Sequence, residues 1–196
     1  MYTVDFGKVT GVDGKQAPGA TPTTETWGFR SVCRPEGCVA NASRLSGDTM
    51  QIPTMVFDQV GDSWVAVGVG STNCGKAVGE VWEVFTLQPR PDGTLAGESN
   101  QLMAVGCANK RPVTFTRTGD VDVNTVPDPA TLPPRVISPA EALRGHYRET
   151  DVTPNGYRDQ ADYLVSTDCL RTGDRCMSFF HRPPASAMAL VFGDGK

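Results

Sequence analysis

The sequence predicts a mainly β protein, built from antiparallel meander sheets or partly open barrels. It also predicts two related subdomains with one short helix between them. Three observations lead to this class. Short stretches of alternating apolar and polar residues recur at about 10-residue spacing. Turn-forming residues are abundant, with 21 Gly and 15 Pro in 196 residues. Finally, a pattern of one aromatic residue and two cysteines occurs twice along the chain.

The first subdomain, residues 1–123, contains most of the predicted strands. The residues before its first strong strand, 2–24, include a loose Gly- and Ala-containing stretch, and we expect them to form a flexible arm. Tight turns follow the strands, as at residues 60–63, because an adjacent Gly and Asp accept left-handed backbone conformations cheaply. The strands are predicted at residues 26–32, 38–45, 51–58, 64–69, 81–87, 94–100 and 113–117.

Residues 124–137 interrupt this pattern. Four prolines fall within the nine residues 126–134, which is typical of a stiff, extended linker. A short helix is predicted directly after the linker, at residues 139–144. Ser138 suits its N-cap, a proline occupies the first helical position, and Glu141 completes a capping box.

The second subdomain, residues 138–196, repeats the pattern of the first. Trp27 precedes a cysteine by six residues, and so does Tyr163. Tyr2 and Tyr147 occupy corresponding positions at the start of each copy. Because both the order of the motifs and the paired cysteines recur, we predict a true internal repeat.

An apolar strand follows the paired cysteines in each copy. Residues 55–57 and 190–192 are aligned in this interpretation, and each stretch precedes a Gly–Asp pair at a different spacing. The first copy continues into further strands, whereas the second stops at Lys196. We therefore expect the parent protein to continue with more strands.

The six cysteines indicate a disulfide framework. Two pairs are local, with four and six intervening residues around turn formers, and we expect the remaining two to pair across a longer loop. Six cysteines allow about 15 connectivities, so this pairing rests on locality. Zinc knuckles need closer spacing and further ligands. Because disulfides persist in oxidising compartments, the domain is predicted to lie outside the cytoplasmic membrane. The structural cysteines are Cys33, Cys38, Cys74, Cys107, Cys169 and Cys176.

No set of residues indicates a reaction. The chain holds only two histidines, His146 and His181, and we interpret both as surface or packing residues. It has no nucleophile elbow, P-loop or complete dinucleotide motif. We predict no catalytic residue, no cofactor-binding or metal site, and no cofactor. The net charge of −4 argues against nucleic acid as a partner. No apolar run is long enough for a transmembrane helix, and the first residues do not resemble a signal peptide.

Aromatic residues offer two possible surfaces. Trp27, Trp64 and Trp82 could form a sugar- or peptide-binding platform, but their places within strands favour core positions. Phe179 and Phe180 are adjacent, so at least one ring must face the outside of a strand. That ring either joins a partner surface or is covered by other parts of the protein.

A resemblance to a known family rests on these motifs. The aromatic residue six positions before a Cys–turn–Cys hairpin, followed by the Gly–Asp–Ser–Trp turn at 61–64, resembles the extracellular sensor domains of mycobacterial receptor Ser/Thr protein kinases, most closely the PknI type. Trp27, Cys33, Cys38 and the second copy from Ser138 onward carry the resemblance. It implies a domain held outside the membrane by an upstream transmembrane helix, with a cytoplasmic kinase domain beyond that helix. Since the sequence holds no kinase motif, this domain is expected to be non-catalytic.

The resemblance also implies a mechanism. Two associated sensors raise the effective concentration of their kinase domains, which promotes autophosphorylation. We predict a homodimer or a monomer–dimer equilibrium, formed through the N-terminal arm or a sheet edge, and an unknown extracellular ligand. The alternative is a secreted or lipid-anchored cell-wall ligand-binding module, with a pocket lined by tryptophans and no dimer. A secreted hydrolase, with clustered carboxylates in a cleft, is the third possibility.

Overall fold

Thirteen strands form the described part of the chain, and the predicted mainly β class is confirmed. The structure is a computed structural model and describes residues 1–11, 13–104, 107–183 and 186–193. The strands are β1 (Tyr2–Phe6), β2 (Thr10–Gly11), β3 (Thr23–Arg34), β4 (Gly37–Ser46), β5 (Thr54–Val60), β6 (Ser63–Cys74), β7 (Ala77–Pro89), β8 (Leu95–Met103), β9 (Ala108–Arg117), β10 (Gly145–Val152), β11 (Arg158–Cys169), β12 (Arg175–Arg182) and β13 (Ser186–Gly193). Short 3-10 turns lie at Val123–Thr125, Pro129–Thr131 and Pro139–Ala142.

Eight of the first nine strands, β1 and β3 to β9, form a closed antiparallel barrel. Strands β3 to β9 pair in chain order, and β1 closes the ring by pairing with both β3 and β9. The short strand β2 only extends the sheet beside β9. All seven predicted strands are present, most of them longer than expected. Short strands of alternating apolar and polar residues, joined by tight turns, produce such an up-and-down barrel.

The N-terminal residues differ from the flexible arm that the sequence predicted. Strand β1 lies between the first and last strands of the barrel, and Val4 and Phe6 are almost fully buried in its interior. These two side chains alternate with polar residues, so one face of β1 fills the gap between β3 and β9. Pairing on both edges satisfies the backbone of the segment and fixes it in place.

Aromatic side chains fill the barrel interior. The ring of Phe85 lies at its centre, with centroid distances of 5.6 to 6.4 Å to the rings of Phe6, Trp27, Phe57 and Phe115. All five side chains are at most 1% exposed. An eight-stranded barrel is just wide enough for side chains to fill. This interior is therefore a packed core.

Residues 124–137 also differ from prediction, because they pack along the outside of the barrel instead of extending as a stiff linker. Val126 is 2% exposed and lies over Gly28, where a Cβ atom would come within 2.8 Å of the valine side chain. The side chain of Arg30 forms an ion pair with Asp128 at 2.6 Å. A glycine in β3 thus provides the groove that holds this segment.

The predicted helix at 139–144 is a single 3-10 turn, Pro139–Ala142. Ser138 caps it as expected, since its Oγ accepts a hydrogen bond from the backbone N–H of Ala140 at 3.4 Å. Glu141 does not complete a capping box. Its two carboxylate oxygens lie 2.7 Å from Nη2 of Arg135.

The last four strands form a separate antiparallel sheet in the order β10-β11-β12-β13. Its register parallels that of the first strands of the barrel. Tyr147 lies opposite Tyr163 in this sheet, as Tyr2 lies opposite Trp27 in the barrel. The paired cysteines close the second hairpin at the same place in both sheets. The division into two related units at 1–123 and 138–196 stays a prediction, supported by this shared register.

The predicted alignment of the third strands is wrong by two residues. In the barrel, Phe57 lies opposite Ala40, two residues after a cysteine. In the second sheet, Leu190 lies opposite Ser178, also two residues after a cysteine. Phe57 therefore corresponds to Leu190 and not to Phe192. The connection between β12 and β13 is shorter than that between β4 and β5, which explains the shift.

A second apolar cluster joins the two sheets. Trp82 and Leu102, on the outer face of the barrel, pack against Met177 and Phe179 of β12. Phe179 thus faces inward. The neighbouring Phe180 points to the opposite face and packs edge-on against Tyr163, at a centroid distance of 6.3 Å.

Candidate functional site

The barrel interior contains two buried carboxylates, Glu25 and Glu83, which are the closest match to a hydrolase carboxylate pair. Both accept hydrogen bonds from the backbone of the connection between β4 and β5. Glu25 accepts hydrogen bonds from the backbone N–H groups of residues 49 and 50, and from the indole of Trp27 at 2.7 Å. Glu83 accepts them from residues 51 and 52 at 2.8 and 3.2 Å, and from Gln101. Burial raises the pKa of Glu83. These bonds give both carboxylates a structural role.

The tryptophans do not form an exposed platform. Trp27 and Trp82 are fully buried, and Trp64 is half-buried against the barrel core. The indole N–H of Trp82 donates to Glu80 at 2.8 Å, as that of Trp27 does to Glu25. A buried indole needs such a partner.

Three disulfides join the six cysteines in the pairs that locality predicts. The two short ones close the β3–β4 and β11–β12 hairpins, and the third links the end of β6 to the residue before β9. The pairs are Cys33–Cys38, Cys74–Cys107 and Cys169–Cys176. Within the described residues, no group of three His, Cys, Asp or Glu side chains could hold a metal ion.

Two ion pairs connect the barrel to the second sheet. Arg171 contacts both carboxylate oxygens of Asp58 through Nε, at 3.0 and 2.9 Å. Arg175 pairs with Glu80 at 2.7 Å, and its guanidinium group lies 5.8 Å from the ring centroid of Trp82. Burial raises the pKa of Asp58, although Arg171 opposes that shift. The two units are therefore fixed by polar as well as apolar contacts.

Sequence reasoning missed the polar groups that face the barrel from the second sheet. His146 is exposed on β10, as expected. Nε2 of His181, however, is buried and has no hydrogen-bond partner in the part of the chain that the structure describes. Burial raises the pKa of Asp168 to about 6, against the opposing charge of Arg144. A possible signal was that Asp168 lies two residues after Ser166 and so shares its face of a half-buried strand.

The second sheet has two free edges among the described strands, whereas the barrel closes on itself. Strand β10 carries four ionisable side chains along its edge: His146, Arg148, Glu149 and Asp151. Strand β13 carries none. Met188 and Leu190 of β13 are 50% and 49% exposed on its outer face. An uncharged apolar edge strand is a template for pairing with another chain.

Comparisons with known proteins point to one family for the residues that form the barrel. Residues 1–131 match the family described as the PknI serine/threonine-protein kinase sensor domain. The kinases named PknI from Mycobacterium bovis and from two strains of Mycobacterium tuberculosis are 31% identical over 144 residues, covering 61% of this chain. This chain spans about a quarter of the length of those relatives, since it covers 25% of each.

One solved structure agrees with the family match. The monomer form of the M. tuberculosis PknI sensor domain superposes with a TM-score of 0.54 at 25% identity, covering 66% of this chain and 94% of that one. A dimer form of the same sensor domain gives a TM-score of 0.49 at 22% identity. The family match ends at residue 131, before the second sheet. Among the described residues, no helix is both long and apolar enough to cross a membrane.

Proposed function

The chain belongs to the PknI serine/threonine-protein kinase sensor-domain family, and we propose on this basis that it is the extracellular sensor of a membrane-anchored Ser/Thr kinase and signals by self-association. The family match over residues 1–131 carries the proposal. Three disulfides support a place in an oxidising compartment, outside the cytoplasmic membrane. The anchoring helix and the kinase domain belong to the parent protein.

Self-association is proposed to use the outer edge of β13. The N-terminal segment is an unsuitable route, because β1 is paired on both edges inside the barrel. The edge of β10 is charged, and interspersed charges oppose strand pairing. Two β13 strands from two copies would pair antiparallel about a twofold axis and join two four-stranded sheets into one continuous sheet. Met188 and Leu190 of the two copies would then lie side by side on one face of the joined sheet.

This arrangement would transmit a signal by proximity alone. Joining two sensors places the two linked kinase domains in one small volume, which raises their effective concentration and favours phosphorylation in trans. No conformational change inside the barrel is required, which fits its fully packed aromatic core.

Analytical ultracentrifugation of the purified chain tests the proposed edge. We expect a concentration-dependent dimer that Leu190→Lys weakens by about tenfold or more, since the added positive charges lie on the same face of the joined sheet and repel each other. Thr150→Lys adds the same charge to the exposed edge strand β10 and serves as the matched control. Equal dimerisation of the two variants, or a chain that stays monomeric at every concentration, would overturn the β13 edge as the contact.

A further inference from the structure

A cavity of about 600 Å³ lies between the barrel and the second sheet. Its barrel wall is the outer face of β7, β8 and β9, and its other wall is the face of β11 and β12 that carries Phe179. The cavity lies beside the apolar cluster that joins the sheets, where smaller side chains such as Ser166, Asn100 and Ala108 leave space between the backbones. Small-molecule sites in proteins have volumes of roughly 300 to 1,000 Å³.

The walls of this cavity combine an apolar middle with polar ends. Leu102 and Phe179 supply the apolar surface between the ends, and Leu164 lies beside His181. Asp168 and His181 also line it, and the strand register separates them, since His181 lies opposite Leu164, four residues before Asp168. At about 3.3 Å per residue, the two groups are roughly 13 Å apart along the strands.

The two polar ends have unused hydrogen-bonding capacity. Nε2 of His181 is buried without a partner in the described residues, an arrangement that costs free energy unless another group fills it. Among the described residues, no group donates a hydrogen bond to the carboxyl group of Asp168, and burial raises the pKa of this group. A carboxylate that lacks donors favours a partner that donates hydrogen bonds and carries a positive charge.

The cations near the cavity are already engaged. The guanidinium group of Arg144 donates to the backbone carbonyl of Thr167 at 2.8 Å and to that of Glu141 at 2.9 Å. Lys110 pairs with Glu98 at 3.3 Å. The cavity therefore offers an acceptor at one end, an imidazole at the other, and between them the apolar side chains of Leu102 and Phe179 beside the smaller polar side chains of Asn100 and Ser166.

From this geometry we propose that the cavity binds a small amphipathic amine, with its ammonium group on Asp168, its apolar body against Phe179 and Leu102, and a polar group at its far end on His181. The barrel supplies most of the lining, whereas Asp168 and His181 come from the second sheet, which lies beyond the part of the chain that matches the sensor family. The idea that the sensor detects this amine rests on the proposed function. Binding of the amine to the cavity does not depend on that function.

Isothermal titration calorimetry with 8-amino-1-octanol tests the proposal, with 1,8-octanediol as the probe that lacks the amine. At pH 7 we expect saturable binding of the amine, at least about tenfold tighter than the diol, because a charge-assisted hydrogen bond is about twice as strong as a neutral one. Amide NMR shifts upon binding are expected at residues 164–168 and 179–181.

Two variants locate the site. Asp168→Asn removes the charge with little change of shape and should weaken amine binding by about tenfold without affecting the diol. Asp162→Asn removes a carboxylate from an exposed position on the same strand and serves as the matched control. The proposal would be overturned if the amine and the diol bound with equal affinity. It would also be overturned if Asp168→Asn, with an intact melting curve, left amine binding unchanged, or if the amide NMR shifts appeared at other residues. Dimerisation is measured separately, so failure of the β13 edge and failure of this site give different results.

Discussion

Arg171, in the turn between β11 and β12, binds Asp58 of β5, which lies 113 residues earlier in the chain. Both side chains are mostly buried, at 17% and 12% exposed. The same arginine also donates to the backbone carbonyl of Pro133. One side chain therefore connects the barrel, the segment packed along it and the second sheet.

Replacing this arginine should loosen the junction. Arg171→Ala leaves the mostly buried carboxylate of Asp58 without its partner, and we expect a loss of about 3 to 5 kcal/mol of unfolding free energy in chemical denaturation. Arg148→Ala, which removes an exposed ion pair with Asp162, should change nothing measurable. If the two variants unfold alike, the Arg171 pair does not hold the units together.

Asp168 should make stability depend on pH. Burial raises its pKa to about 6 in the folded chain, from about 4 when unfolded. The folded state therefore binds the extra proton between these values, and stability should fall as pH rises from about 4 to about 6, then level off. In thermal melts across this range, Asp168→Asn should remove that part of the fall. A parallel profile for wild type and variant would contradict the burial of this carboxyl group.

The three disulfides should differ in their effects on stability. Cys74 and Cys107 are 33 residues apart, whereas Cys33 and Cys38 are five apart. Because a longer closed loop restricts the unfolded chain more, the double substitution Cys74→Ser with Cys107→Ser should cost about 4 kcal/mol. The matched pair Cys33→Ser with Cys38→Ser should cost about 2 kcal/mol. Denaturant unfolding of both variants checks this order, which a reversed ranking would refute.

Gly97 should tolerate no side chain. A Cβ atom there would lie 1.9 Å from the backbone oxygen of Thr86, so β7 and β8 would have to separate. Gly97→Ala is therefore expected to cost about 3 kcal/mol or more, or to prevent folding. Gly75→Asn is the control, since Gly75 has open space around it and asparagine accepts its positive φ. Similar melting temperatures for the two variants would show that the strands can move apart.

Local patterns predicted most of the barrel. Strands such as β7 were recognisable because alternating side chains meet a core on one face only, and turns such as that at Gly61 were recognisable because positive φ favours glycine. The family resemblance, which rests on the spacing of Trp27, Cys33 and Cys38, was confirmed by the match over residues 1–131. These features depend on residues that are close in sequence.

The errors concern contacts between distant residues. Tyr2–Phe6 was predicted to be part of a flexible arm because its partners in β3 and β9 lie about 20 and 110 residues away along the chain. The proline-rich segment was predicted to be a stiff, extended linker because the groove at Gly28 forms only once β3 is folded. The cavity with Asp168 and His181 was missed because neither residue belongs to a recognisable motif.

The sequence by itself determined the strand class, the hairpins, the disulfide pairs and the family, since each depends on local backbone preference or short spacing. Tertiary structure alone decided that β1 closes the barrel, that aromatic rings fill it, and that an uncharged strand remains at the edge of the second sheet. It also decided that a carboxyl group and an imidazole face one cavity between the units. Burial and pairing across long chain separations produce these features, because they depend on which surfaces meet after folding.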